Sequence, residues 1–542
     1  MIDIDNSNLF FKIFRNKFLR NQIFKHLRKF NICPRLVKYN SIKRFKECKF
    51  KGYLSNVYYN FKGFEYLPNS VKFLKLGDNF WTSNLFILEL NKLKNFLPQS
   101  LTHLELSNSF SRYSKLNGRS FIPESVTKLN IGDGFNRIIR SDDIPLTLKS
   151  LKIGKTFKNS LNLIDCKNLE NLEFVEESHF NNIFNNDSNN LPQNLKYLKF
   201  GNLYTMEIKN VELNLPKTLT YLSFGSGFNS PINLQSLINL KSLTFESNYK
   251  CKFSVGSLPS SLTYLSINGY EKDFEIGVLP SNLQTLIIKS YTITTKQKFE
   301  IGVLPSSITN FTFNNHYNTL HPFQSGVLPS SLTSLDLSYY EHPIDNLILP
   351  SSLTYLELPN KEESNKSCIL LKLFSNLINL KSLVWNCKDK IPPNILPKSL
   401  SQFKIINIKY YHKFELDTFP SSLLSLLINS HNCHGFEDGI LPQSLKKLEL
   451  VSHLFKTQFQ LNSIPKNLEI LSLSYTSYHY GFKKNELPTT LKHLSLPEYY
   501  SHFIDCDLPN LESLYIGKRS VDTKLRNIAS EIEDISFINL FE

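Results

Sequence analysis

Three residues able to ligate a metal stand close together in this chain, His431, Cys433 and His434. A structural zinc site needs four such ligands at recognisable spacing, and no second group of that kind follows. The triplet therefore reads as part of a loop, and no metal is expected. The eight cysteines are Cys33, Cys48, Cys166, Cys251, Cys368, Cys387, Cys433 and Cys506, and none belongs to a CxxC pair. Scattered single cysteines in a long chain without a secretory signal read as reduced thiols. Gly132-Asp133-Gly134 and Gly225-Ser226-Gly227 each contain a GxG. Neither leads into the third glycine and helix of a dinucleotide site, so both are assigned to a repeated turn. The sequence contains no GxxxxGK[ST] phosphate loop, no HExxH and no GxSxG, whose geometries serve phosphate binding, zinc hydrolysis and nucleophilic attack. The chain is expected to be non-enzymatic and to need no cofactor.

The elements that would carry these residues are repeats. From Leu67 onward one pattern dominates, Leu-Pro-x-Ser-Leu-Thr-x-Leu-x-Leu, with clear copies starting at Leu97, Leu215, Leu258, Leu328, Leu349 and Leu441. Including degenerate copies, 20 starts fall between Leu67 and Leu508, a mean period of about 23 residues. The x-Leu-x-Leu segment alternates, so it reads as a short strand with its leucines on one face. A single strand cannot bury that face, whereas parallel stacking joins the leucines into one column. Proline cannot donate to a ladder and stands just before the strand, where the chain turns in. A Ser or Asn two residues later is expected to hydrogen-bond local backbone at that turn. Phe274, Phe299, Phe323 and Phe436 recur five residues before a Leu-Pro or Ile-Leu-Pro step, with Gly277, Gly302, Gly326 and Gly439 after them. The phenylalanines are expected to stack inside the coil, and the glycines to mark a bend with positive φ. The expected fold is an α/β or mainly β, leucine-rich-repeat-like solenoid over 67–516 with a concave parallel sheet and a short helical N-terminal segment. Stretches around 180–190, 289–299 and 359–376 interrupt the register as insertions.

The Leu-Pro-x-Ser-Leu-Thr-x-Leu pattern, with Phe-Asn-Ser-Pro-Ile at 228–232, resembles the FNIP repeat, a divergent leucine-rich repeat. The complete signature stands once, and Phe135-Asn136 and Pro343-Ile344 are fragments of it. The resemblance implies an intracellular interaction protein without chemistry of its own.

The ends differ from the repeats. Residues 1–60 hold 14 Lys and Arg against 3 Asp and Glu, a net +11 of the chain's +15. The basic character thus belongs to one end, and the other 482 residues carry only +4. Phe10, Phe14 and Phe18, and likewise Leu19, Ile23 and Leu27, recur at helical spacing. Four readings stand open for this segment: a helical cap on the first rung, an F-box-like adaptor, a membrane-surface helix and a nucleic-acid contact. For the second, Leu19, Ile23, Phe24 and Leu27 resemble the first F-box helix, which implies a Skp1-like subunit of a cullin-type ubiquitin ligase as partner. Residues 517–542 lose the repeat, turn acidic and are expected to form a C-terminal cap.

With the strand leucines pointing in, the two x positions point out onto the sheet face and are least constrained by folding. Tyr197, Tyr221 and Tyr264 occupy the first x position, with Lys199 beside the first of them. Tyrosines held on a rigid sheet are good interface anchors, so these four residues form the candidate protein-binding site. No Lys/Arg row follows the sheet, and no nucleic acid is expected there. No window is apolar enough to span a membrane. The expectation is a cytoplasmic, monomeric scaffold for a protein partner.

Overall fold

The computed structural model describes residues 36–542 except 50, 64, 82–95, 113–121, 178–190, 203–214, 247–248, 291–297, 316–320, 341, 343, 345–348, 360–373, 432, 517–533 and 538–542. Two units are distinguished, Met1–Cys251 and Lys252–Glu542.

In the first unit ten short strands pair in parallel in chain order, from Val37–Tyr39 and Asn56–Tyr59 through Phe73–Leu76 and Tyr197–Lys199 to Ser242–Phe245. In the second unit thirteen do so, from Tyr264–Asn268 to Asp534–Phe537. Strand starts in the second unit lie 20 to 27 residues apart up to Ser513, which matches the sequence period. The ladder extends beyond the Leu-Pro pattern at both ends. Val37–Tyr39 and Asn56–Tyr59 precede Leu67, and Asp534–Phe537 pairs with Ser513–Ile516. Asn56–Tyr59 keeps the inward alternation with Val57 and Tyr59 buried, but its loop lacks the proline that marks later rungs. The described helix near the start is short, Ile42–Lys46, capped by the Ser41 side chain on Arg44 N–H at 3.3 Å. Its Phe45 is fully buried against Tyr39 and Tyr59.

Each rung buries the same column. Leu198, Leu222 and Leu243 pair in register and are inaccessible to solvent, as are Leu335, Leu356 and Leu383 in the second unit. Each such side chain contributes roughly 1.5–3 kcal/mol of transfer free energy. Phenylalanines form the second column. Phe274 lies 6.2 Å from both Phe253 and Phe299, and Phe414 stacks on Phe436 at 5.8 Å. Buried tyrosines form a further row. Tyr340 stacks on Phe323, and its hydroxyl accepts the Phe323 N–H at 2.9 Å, so a backbone donor inside the coil is satisfied.

The turn into the strand is built as the proline position suggests. The amide directly after each Ser or Asn closes on the Pro carbonyl three residues back in most rungs, as in Leu101 N–H to Pro98 at 3.0 Å and Leu353 N–H to Pro350 at 3.2 Å. The Ser or Asn side chain behaves differently from the expectation of a local bond. Ser125 Oγ donates to the Leu101 carbonyl at 2.7 Å, Ser307 to Leu283 at 2.6 Å, Ser352 to Leu332 at 2.6 Å and Ser444 to Leu423 at 2.7 Å. Asn194, Asn282 and Asn467 reach Lys167, Ser260 and Gln443 at 2.8 to 2.9 Å. All of these acceptors belong to the preceding rung. The turn's own Pro carbonyl is already taken by the backbone amide, and the polar side chain staples rung to rung.

The bend before each Leu-Pro holds positive φ at Gly277, Gly302, Gly326 and Gly439, between 80° and 87°. The same position carries Asn394, Asp417, Asn462 and Asn485 in other rungs, with φ between 59° and 69°. Asn and Asp tolerate the left-handed region better than other side chains, so the bend persists where glycine is absent.

Candidate functional site

The strands turn every second side chain away from the leucine column, and neighbouring rungs bring those side chains side by side in register. In the first unit the second outward position is a charge ladder. Lys75 pairs with Glu105 at 2.9 Å and Lys152 with Glu173 at 2.9 Å, each across adjacent strands. Lys199 lies between two carboxylates, 3.6 Å from Glu246 and 3.9 Å from Glu176. Its side chain is only 18% exposed, so Lys199 serves the sheet's own ion pairs. Ser223 Oγ donates to Glu246 at 3.3 Å on the same face.

The first outward position carries the tyrosines. Tyr197 and Tyr221 are register partners, and their rings stack at 4.4 Å with 8° between planes. That separation is close to the strand spacing, so the sheet itself sets the stack. Burial, then the neighbouring Tyr221 and Glu173, raises the Tyr197 phenol above the ordinary tyrosine range. Tyr264 lies in the second unit, on the strand Tyr264–Asn268, opposite Thr285. The structure thus brings together Tyr197, Tyr221 and Lys199, and Tyr264 belongs to the other unit. Leu19, Ile23, Phe24 and Leu27 lie outside the described residues.

A second outward cluster is formed in the second unit. Tyr355 donates its hydroxyl to Glu357 at 2.9 Å, and Asp336 is the register partner of Glu357. Burial and the Asp336 charge push the Glu357 carboxyl above its usual range, and burial, then its bond to Glu357, does the same to the Tyr355 phenol. Tyr-x-Glu in one repeat with Asp in the preceding one was the available signal, and it acquires meaning only once the register is known.

The metal-type triplet is dispersed by its hydrogen bonds. Cys433 is buried, with its thiol on the His434 carbonyl at 3.3 Å, and burial pushes that thiol up to about 12. His434 Nε2 donates to the Tyr411 carbonyl at 2.8 Å. Among the described residues no group of three or more His, Cys, Asp or Glu is placed to hold a metal. The six described cysteines form no disulfide with one another. No described helix is long and apolar enough to cross a membrane. The GxG glycines sit in the repeat turn, where Gly225 meets the backbone of Gly201 and Gly132 that of Ser107.

The family model of the FNIP repeat matches residues 63–109, 90–134, 115–156, 228–270, 270–316, 296–339, 317–361 and 431–476. Together these matches span just over half of the chain. The chain belongs to the FNIP repeat family. An FNIP repeat-containing protein of Dictyostelium discoideum is 28% identical over 230 residues, covering 37% of this chain and 42% of that relative. The chain therefore spans less than half the length of the curated relative it matches. Among solved structures, CroV588, described as a novel circular leucine-rich-repeat protein, is similar over 90% of this chain and 76% of its own, with 25% identity and a TM-score of 0.59. TLR13, solved in complex with ssRNA13, covers 92% of this chain and 83% of its own with 14% identity and a TM-score of 0.50. The latter is a likeness of fold alone.

The structure gives physical content to the FNIP signature. Phe228 is fully buried between Phe224 at 4.1 Å and Tyr249 at 6.2 Å. Asn229 accepts the Lys250 N–H of the following rung at 2.8 Å. The fragment Phe135-Asn136 repeats this arrangement, with Phe135 buried and Asn136 accepting Lys158 N–H at 2.8 Å. In the FNIP repeat the phenylalanine fills the core and the asparagine ties the next rung's turn.

Proposed function

We propose that this FNIP repeat protein is a non-enzymatic interaction scaffold that binds a protein partner through the outward face of its parallel sheet. The observation that carries this reading is the Tyr197–Tyr221 stack, two half-buried aromatic rings held at 4.4 Å by strand register. Holding two rings rigid removes most of the ordering cost that a partner would otherwise meet on binding. Tyrosine combines a large apolar area with a hydroxyl, which suits an interface anchor. These side chains lie off the leucine column, so their identity is left to binding rather than folding. Tyr264 is assigned to the same surface type in the second unit.

The test is affinity capture with the full chain, compared with the Tyr197→Ala, Tyr221→Ala, Tyr264→Ala triple variant. Partners retained by the wild type are expected to be lost by at least about tenfold, since central aromatic anchors are worth roughly 2 kcal/mol or more each. Circular dichroism should be unchanged. Equal recovery of every partner by a folded triple variant would remove this face from the account.

A further inference from the structure

The first unit holds a polar cleft of about 330 Å³ where its early strands end. One row of the lining runs across the sheet. Tyr58, Lys75, Glu105, Asn130 and Lys152 are successive register partners on five neighbouring strands. The second row is Asp78, Asn108 and Asp133, each three residues beyond an outward side chain of the first row. Asp78 Oδ1 accepts the Ser109 N–H and Asn108 Oδ1 the Asp133 N–H, both at 3.0 Å, so the turns fix these two side chains. Gly77, Ser107 and Gly132 come between the rows in sequence and also line the cleft. They are buried and carry at most a hydroxymethyl group, so this repeated small residue leaves the cleft unfilled.

The lining selects by chemical type. Lys75 is held by Glu105 and Lys152 by Glu173, each at 2.9 Å. An anion entering the cleft would meet Asp78, Glu105 and Asp133, and a cation would meet Lys75 and Lys152. A neutral molecule that can both donate and accept hydrogen bonds at each position escapes both repulsions. Apolar surface comes from the Tyr58 ring and Val175, since Leu76 and Leu106 are buried in the core. A peptide docked on a surface needs pockets for alternate side chains, and two such residues provide few.

We propose that this cleft is a carbohydrate site that takes a neutral mono- or disaccharide. Each sugar hydroxyl donates and accepts, so it can give a proton to the Asp78 or Asp133 carboxylate and take one from the Asn130 amide. The volume lies at the lower end of the range of small-ligand sites, about 300–1,000 Å³. The register of the strands holds the first row and the turns hold the second, which lowers the ordering cost of binding. No residue of the tyrosine stack takes part, so the site goes beyond the scaffold reading and stands or falls without it.

The experiment uses the full chain and saturation-transfer nuclear magnetic resonance with glucose, galactose, mannose, N-acetylglucosamine, maltose, cellobiose and lactose. At least one of these sugars is expected to bind saturably. Asn130→Ala and Asp133→Ala should each weaken it about threefold or more, the equivalent of one lost hydrogen bond. Asn130→Trp, which fills the cleft, should abolish binding, and circular dichroism should show all three variants folded. The methyl glycoside of the bound sugar, blocked at the anomeric oxygen as in a glycan, distinguishes the source. Retained binding means that a protein-borne glycan is accepted, lost binding restricts the site to free sugar, and either supports the site. The inference is overturned if no sugar of the set binds saturably, or if binding survives all three variants. It is equally overturned if spermine or inositol hexakisphosphate, in place of the sugars, gives the binding that Asn130→Trp removes. Release of a protein partner by folded Asn130→Ala, with no sugar bound by the wild type, would assign the cleft to protein and end the carbohydrate reading.

Discussion

Replacing Phe228 with alanine should destabilise the protein by about 3–5 kcal/mol, whereas Asn229→Ala, one residue away, should cost about 1 kcal/mol. The two residues belong to the same signature but act on different links of the chain of causes. Phe228 is fully enclosed by Phe224, Phe245 and Tyr249. Its removal loses the transfer free energy of the ring and leaves a cavity that stacked neighbours cannot close without shifting their strands. Asn229 is exposed, and its side chain accepts Lys250 N–H at 2.8 Å and, weakly, the Cys251 thiol at 3.5 Å. Water can take over much of that bond when the asparagine is lost. Urea denaturation followed by far-ultraviolet circular dichroism measures both. A Phe228→Ala midpoint no lower than that of Asn229→Ala would show that the aromatic column does not hold the rungs.

Gly225→Ala should be the most damaging of the glycine substitutions, at about 3 kcal/mol or more. A methyl group built there would fall 1.8 Å from the carbonyl oxygen and 2.3 Å from the carbonyl carbon of Gly201 in the preceding rung. Both are backbone atoms, so relief requires the rungs to part rather than a side chain to rotate. Gly302→Ala is a different experiment. No atom lies within 4 Å of the added methyl group, and the cost comes only from the backbone at φ 87°, about 1–2 kcal/mol. Gly302→Asn should cost about half of that or less, because Asn394, Asn462 and Asn485 adopt the same conformation at the equivalent step of their own rungs. Thermal melting of the three variants should give that order. If Gly302→Ala proved worse than Gly225→Ala, the close approach of rungs at the turn would be excluded as the reason for the glycine.

The readable part of this fold follows from repetition. A leucine at every second position, a proline before it and a glycine bend are local rules, and each recurs often enough in the sequence to reveal its period. Phe274, Phe299 and Phe323 were legible as a core column for the same reason. Features that depend on two rungs at once were hidden. Ser352 looks like a residue serving its own turn until its partner, the Leu332 carbonyl, is seen to lie 20 residues earlier. Asn394 and Asp417 were unreadable as bend residues because the pattern was defined on glycine, although the backbone needs only a residue that tolerates positive φ. The strands Val37–Tyr39 and Asn56–Tyr59 carry no Leu-Pro step and were read with the basic N-terminal segment.

The candidate site divides in the same way. Tyr197 and Tyr221 were visible as a row, but their contact depends on exact strand register, as does the opposition of Asp336 and Glu357. Lys199, expected as a partner contact, lies 3.9 Å from Glu176 and 3.6 Å from Glu246, neighbours that only the register reveals.

The central claim is that partners meet the outward face of the sheet. Site-specific photocrosslinking tests it most directly, with a benzophenone amino acid placed at Tyr221 in one protein and at Ile276 in another. Tyr221 lies on the sheet face, while Ile276 is 65% exposed on a bend between strands. The account predicts a protein adduct from position 221 that position 276 does not give. Adducts confined to position 276 would contradict it and move the binding surface to the bends.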